Sequence, residues 1–134
     1  MRITSEADYA VRIIYCLCRE GRKMGAKEIS ERTEVSMQFT LKILRKLVHG
    51  ELACSYKGAE GGYALAKEPA EISVLDVIRL IDGPVRLNKC LESLSPCSRD
   101  GKCDCTFRRL WADLSESVER SLAAETFDKI LEKS

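Results

Sequence analysis

The chain has 134 residues, 45% of them hydrophobic, and a formal net charge of +1. That length suits one domain, or a small domain with an oligomerisation element. No apolar run nears the roughly 20 residues that span a bilayer, and the opening Met1-Arg2-Ile3-Thr4-Ser5-Glu6 lacks a signal peptide's apolar stretch, so the expected location is the cytoplasm, with no membrane partner.

Seven cysteines are many for a reducing compartment. An odd number also argues against a closed disulfide framework, which leaves metal or redox chemistry. The small net charge conceals a split: up to Lys67 there are 12 Lys/Arg against 8 Asp/Glu, and after it 10 against 13. A basic first half suits a polyanion.

In chain order, Thr4 or Ser5 is a possible N-cap for a first helix, with Ala7, Ala10, Val11, Ile14, Leu17 and Cys18 at helical spacing until Gly21. A second, two-turn helix runs over Ala26 to Arg32, ended by Thr33 and Glu34. Ser36 can cap a third, in which Phe39, Ile43, Leu44 and Leu47 form the apolar face and Gln38, Thr40, Lys42, Arg45 and Lys46 stay outside, until Gly50 stops it. Leu52 to Tyr56 and Tyr63 to Ala66 bracket a glycine-rich turn and read as a hairpin. Ser73-Val74-Leu75-Asp76 signals a fourth helix with Val74, Val77, Ile78 and Ile81 on one side, ended by Gly83-Pro84. Residues 85 to 105 show no clear period. From Thr106 to about Ala124, Phe107, Leu110, Trp111, Leu114, Val118 and Leu122 describe a long amphipathic helix that needs a partner surface.

The expected fold is therefore mainly α with a small β-hairpin wing: a winged helix-turn-helix plus a long C-terminal dimerisation helix. The divisions are a DNA-binding domain over residues 1–83, a cysteine-rich cluster-binding loop over 84–105, and a dimerisation helix and tail over 106–134. The third helix would enter a major groove, with Gln38 able to reach base edges and Lys42, Arg45 and Lys46 able to neutralise phosphates. Ser36 and Thr40 on that helix, and Lys57, Gly58, Gly61, Gly62 and Tyr63 in the wing, complete the candidate double-stranded DNA contacts.

The run Ser55-Tyr56-Lys57-Gly58-Ala59-Glu60-Gly61-Gly62-Tyr63-Ala64-Leu65-Ala66 closely resembles the signature of the Rrf-two family of transcription regulators, in its iron-sulfur, IscR- and NsrR-like branch. Met1-Arg2-Ile3-Thr4 with Asp8-Tyr9-Ala10-Val11-Arg12, and Ile72 to Ile78, resemble the same family. The resemblance implies a homodimer paired through the long helix, with its two wings on a pseudo-palindromic operator, acting as a repressor that senses redox state, nitric oxide or iron supply. Two departures leave the operator sequence open. Lys57 stands where an Arg is frequent, and Met37-Gln38-Phe39-Thr40-Leu41 replaces a Pro-x-Tyr-Leu pattern.

Cys90, Cys97, Cys103 and Cys105 crowd the aperiodic segment, and soft thiolates so gathered suit an iron-sulfur cluster or zinc. Three of them resemble the cluster cysteines of the family's sensing members. Counting back from Trp111 favours Cys105 over Cys103 for the third place, which puts Arg108, incapable of ligating a metal, where some members carry histidine. The fourth ligand is then Asp8, as the NsrR-like members supply from a partner subunit, or Cys103. The resemblance to those members favours 4Fe-4S over 2Fe-2S, with structural zinc as the alternative. Cys16, Cys18 and Cys54 lie in apolar stretches and read as core.

An enzyme needs an acid-base or nucleophilic constellation, and a single histidine, His49, with no Walker or dinucleotide fingerprint supplies none. The competing reading keeps the fold and replaces the cluster with zinc, or with control by thiol oxidation or a protein partner.

Overall fold

Thr4 begins the fold by serving two partners. Its Oγ1 accepts the amide of Ala7 at 3.1 Å, capping helix α1 (Ser5–Glu20), and donates to the Asp82 carboxylate at 2.5 Å, which ties the start of α1 to a residue 78 positions later in the chain. The computed structural model describes residues 2–92 and 105–134. Gly21, at φ 62°, ends α1 in the left-handed conformation that glycine adopts without strain.

Helix α2 (Ala26–Thr33) and helix α3 (Met37–His49) follow across a tight turn at Glu34, whose φ is 57°. Ser36 caps α3 by accepting the amide of Phe39 at 3.3 Å. Strands β1 (Ala53–Tyr56) and β2 (Gly62–Leu65) pair antiparallel, with Ser55 opposite Tyr63. A 3-10 turn at Pro69–Glu71 leads to α4 (Val74–Asp82), which opens on a capping box between Ser73 and Asp76. A second 3-10 turn spans Lys89–Leu91. Helix α5 (Thr106–Ala124) has the expected bounds, and α6 (Phe127–Lys133) completes the order.

The core gathers Ile13, Ile14 and Leu17 of α1, Ile29 of α2, Ile43, Leu44 and Leu47 of α3, and Ile72 and Val77 around α4. Phe127 of α6, fully buried, joins them. Helix α6 replaces the tail expected after Ala124. Its start is fastened by the Phe127 amide to the Ile72 carbonyl at 3.0 Å and the Val74 amide to the Glu125 carbonyl at 2.8 Å. Its end is fastened by the Tyr15 hydroxyl to Ser134 at 2.7 Å.

Two corrections concern α3. Thr40, expected outside, is fully buried, and Phe39, expected in the core, is exposed. Positions 40, 43, 44 and 47 form one helical stripe, and that stripe faces inward. Phe39 stands instead edge-on to Tyr9, ring centroids 5.9 Å apart. Cys16 and Cys18 are core residues as expected, while Cys54 is only half-buried.

Along α5, Ser115 is buried and Trp111 half-buried, but Phe107, Leu110 and Leu114 are exposed. The helix is held to the rest by the Arg79 to Glu119 ion pair at 3.3 Å and by the Leu87 amide donating to Ser115 Oγ at 3.0 Å.

Candidate nucleic-acid interface and cysteine segment

Gln38, Lys42 and Arg45 project from the outer face of α3, at spacings of four and three residues that keep them on one line. The shoulder of α3 nearest α1 is more constrained. Lys46 Nζ lies 2.7 Å from Glu6 Oε1, and Lys42 Nζ lies 3.9 Å from the same oxygen. Two of the predicted phosphate-binding cations thus share one carboxylate of α1. Ser36 is exposed with its oxygen engaged in the cap, and its hydroxyl proton stays available to an acceptor.

In the wing, Lys57 and Gly58 are exposed at the tip. Gly61, Gly62 and Tyr63, expected to touch DNA, also shape the wing itself. A Cβ at Gly61 would meet the Tyr56 carbonyl oxygen at 2.3 Å, and one at Gly62, where φ is 150°, would meet the Met24 oxygen at 2.7 Å. The second approach lets Tyr63 exchange backbone hydrogen bonds with Met24 (2.8 and 2.9 Å), which lays β2 against the link between α1 and α2, and the Tyr63 ring packs on the core. Lys23 Nζ sits 4.9 Å from the ring centroid of the exposed Tyr56, adding a cation beside the wing.

Cys90 lies half-buried in the Lys89–Leu91 turn, and Cys105 is the half-buried N-cap residue of α5. Arg108 Nε donates to the Cys90 carbonyl at 3.3 Å, and the Arg109 amide donates to the Cys105 carbonyl at 3.1 Å. Both ends of the cysteine segment are therefore bound to the first turn of α5. Cys97 and Cys103 lie outside the described residues. Among the described residues, no three His, Cys, Asp or Glu side chains converge as a metal site. Asp8 is exposed and paired with Arg12 at 2.9 Å in its own helix.

The donor chemistry fits a thiolate-bound group. Cys105 is the N-cap residue of α5 and Cys90 is bonded through its carbonyl to Arg108 in the first turn, so two sulfur donors flank one helix start. The core cysteines differ: burial pushes the Cys18 thiol up to about 12, and burial followed by the charge of Glu20 raises Cys16.

A family model described as Rrf2, iron-dependent transcriptional regulator, matches residues 3–133. The chain belongs to the Rrf2 family. Rrf2 proteins are transcription regulators, not enzymes. Among its relatives, the chain is 38% identical over 87 residues to the HTH-type regulator Rv1287 of Mycobacterium tuberculosis, covering 63% of this chain and 54% of that protein. The chain thus spans about half the length of that relative. It is 32% identical to the HTH-type transcriptional regulator IscR of Cronobacter sakazakii over 120 residues, covering 88% of this chain and 72% of the relative. The solved structure of CymR, the global cysteine regulator of B. subtilis, superposes with a TM-score of 0.81 at 24% identity, covering 100% of this chain and 98% of that one, a likeness of fold. The Rrf2 chain here has no helix, among its described residues, long and apolar enough to cross a membrane.

Sequence reasoning missed Met37 and Leu41, large apolar side chains exposed on α3, and Glu119 and Ser115, which bind α5 to the segment before Cys90. The first pair was detectable by period, because Met37 and Leu41 fall on the flank beside the inner stripe of Thr40, Ile43, Leu44 and Leu47 and not within it.

Proposed function

We propose that this Rrf2 protein is a homodimeric, DNA-binding transcription regulator of the cytoplasm, a repressor whose affinity for a pseudo-palindromic operator responds to an iron-sulfur cluster. The observation that carries the reading is the exposed line of Gln38, Lys42 and Arg45 on α3, together with the exposed Lys57 and Gly58 in the turn of the wing. A helix of this kind enters the major groove, while a wing cation binds backbone phosphates. The exposed Phe107, Leu110 and Leu114 on α5 support pairing with a second copy, since an amphipathic helix left bare in water lacks a counterpart.

Cys90, Cys97 and Cys105 would hold the cluster, with Cys103, or Asp8 of a second copy, as fourth ligand. When bound, such a cluster supplies redox and oxygen- or nitric-oxide-sensitive chemistry, with 4Fe-4S the favoured type. The chain's own part is to anchor the segment: Arg108 holds the Cys90 backbone, and α5 carries Cys105 at its start. Structural zinc, or a thiol switch without metal, is the second reading. It draws on the position of Cys90 and Cys105 as two thiols at one helix start.

The test is duplex binding by fluorescence anisotropy over a range of salt. Lys42→Ala with Arg45→Ala should weaken binding and lower the slope of log K against log salt by about one for each phosphate no longer neutralised. Unchanged affinity and slope would remove α3 from the interface.

A further inference from the structure

Met37 and Leu41 stand four residues apart in the first turns of α3, with relative exposures of 42% and 38%. They occupy the shoulder of the helix opposite Phe39 and Lys46, the residues that touch Tyr9 and Glu6 of α1. Between the two shoulders run Gln38, Lys42 and Arg45. Water-facing apolar side chains of this size gain nothing where they are, and the cations beside them mark the occupant of this face as polyanionic. Resting on the DNA-binding reading, the geometry points to Met37 and Leu41 as specificity-determining residues that read the 5-methyl groups of thymine in the major groove.

The chemistry is restrictive. The floor of the major groove is lined by hydrogen-bond donors and acceptors, and the thymine methyl is the one apolar group among them. Recognition helices touch base edges with their N-terminal residues, where Met37 and Leu41 lie. The isobutyl side chain neither donates nor accepts a hydrogen bond and the thioether is only a weak acceptor, so contact with the methyl is the selection that suits both. Gln38, between them in sequence, is left to pair with adenine or another base edge. The expected half-site therefore carries thymine at positions facing the start of α3.

The experiment selects duplexes from a random pool with the full-length protein, then remakes the selected duplex with deoxyuridine for thymidine. Removing each methyl that the protein touches should weaken binding about fourfold. The variant Met37→Ala with Leu41→Ala, checked for an unchanged circular dichroism spectrum and melting temperature, should bind the thymine and uracil duplexes equally. This comparison separates a methyl contact from any effect of uracil on duplex shape, which would persist in the variant. Equal binding of both duplexes by the original protein overturns the inference while leaving the DNA-binding reading intact. Failure to bind any duplex overturns that reading and the inference with it. A variant that changes oligomeric state in sedimentation would make the patch a contact between proteins, and the inference fails.

Discussion

The Glu119 carboxylate of α5 accepts the backbone amide of Val85 at 3.2 Å. The same carboxylate pairs with Arg79 of α4 at 3.3 Å, so one side chain joins the long helix, α4 and the chain leading to Cys90. Ser115, one turn earlier on α5, accepts the Leu87 amide and donates to the Trp111 carbonyl at 2.7 Å. A change in the cysteine segment is thus mechanically connected to α4, and through Asp82 and Thr4 to the start of α1.

Removing that junction should cost stability. Glu119→Ala leaves the Val85 amide without its acceptor and should lower unfolding free energy by about 1–2 kcal/mol in urea titration, and Ser115→Ala by about 1–3 kcal/mol. An unchanged midpoint in both variants would show that the segment is not held through α5.

Phe127→Ala should be the most damaging of these changes. The ring is fully buried, and its removal should cost about 3–5 kcal/mol through reduced burial and a cavity. A cost below about 1 kcal/mol would mean that α6 is not part of the winged-helix core.

Glu6 pairs with Lys46 at 2.7 Å and lies 3.9 Å from Lys42, so on the proposed reading its charge competes with a phosphate for both cations. Glu6→Gln should therefore tighten binding to duplex DNA and steepen the log K against log salt slope by about one. Weaker binding would show instead that Glu6 positions these lysines for contact.

The thiols should separate by reactivity. In metal-free folded protein at pH 8, Cys16 and Cys18 should resist iodoacetamide while Cys90 reacts, since the thiolate is the nucleophile and burial disfavours it. With Cys18 raised from 9.0 to about 12, its contribution to stability is intact below pH 9.0 and is lost as pH rises toward 12. Peptide mapping that finds Cys18 alkylated first would contradict the burial.

At the acid end, Glu28 is held below its ordinary 4.5, first by the Arg22 hydrogen bond and then by the Arg22 charge and Arg32. A depressed carboxylate stabilises above its unfolded value, and that stability is lost as pH falls through the folded value. Glu28→Gln should flatten the stability profile below about pH 4.5, slightly, because the pair is exposed. A profile as steep as before would show the ion pairs to be inert.

Helix bounds are legible where caps and period agree, as for α1 between Thr4 and Gly21 and α5 from Thr106 to Ala124. They mislead where residue type outweighs position: an aromatic at 39 suggests core and a hydroxyl at 40 suggests surface, although the inner stripe of α3 demands the reverse. Helix α6 is hidden because seven residues rich in charge carry little intrinsic signal, and what fixes them is the docking of Phe127. The packing duty of the wing glycines is not legible, because a sequence does not show what a backbone passes, and Gly62 passes Met24. Of the cysteines, position near the Trp111 helix is readable, and ligation is not, since spacing alone does not place sulfurs in space.

The most direct test of cluster-dependent DNA binding is the affinity of one anaerobic preparation for its selected duplex, measured before and after cluster removal, with iron, sulfide and zinc determined on the same sample. The expected result is iron with sulfide and affinities that differ by about tenfold or more. Equal affinities, or zinc in place of iron and sulfide, would contradict it.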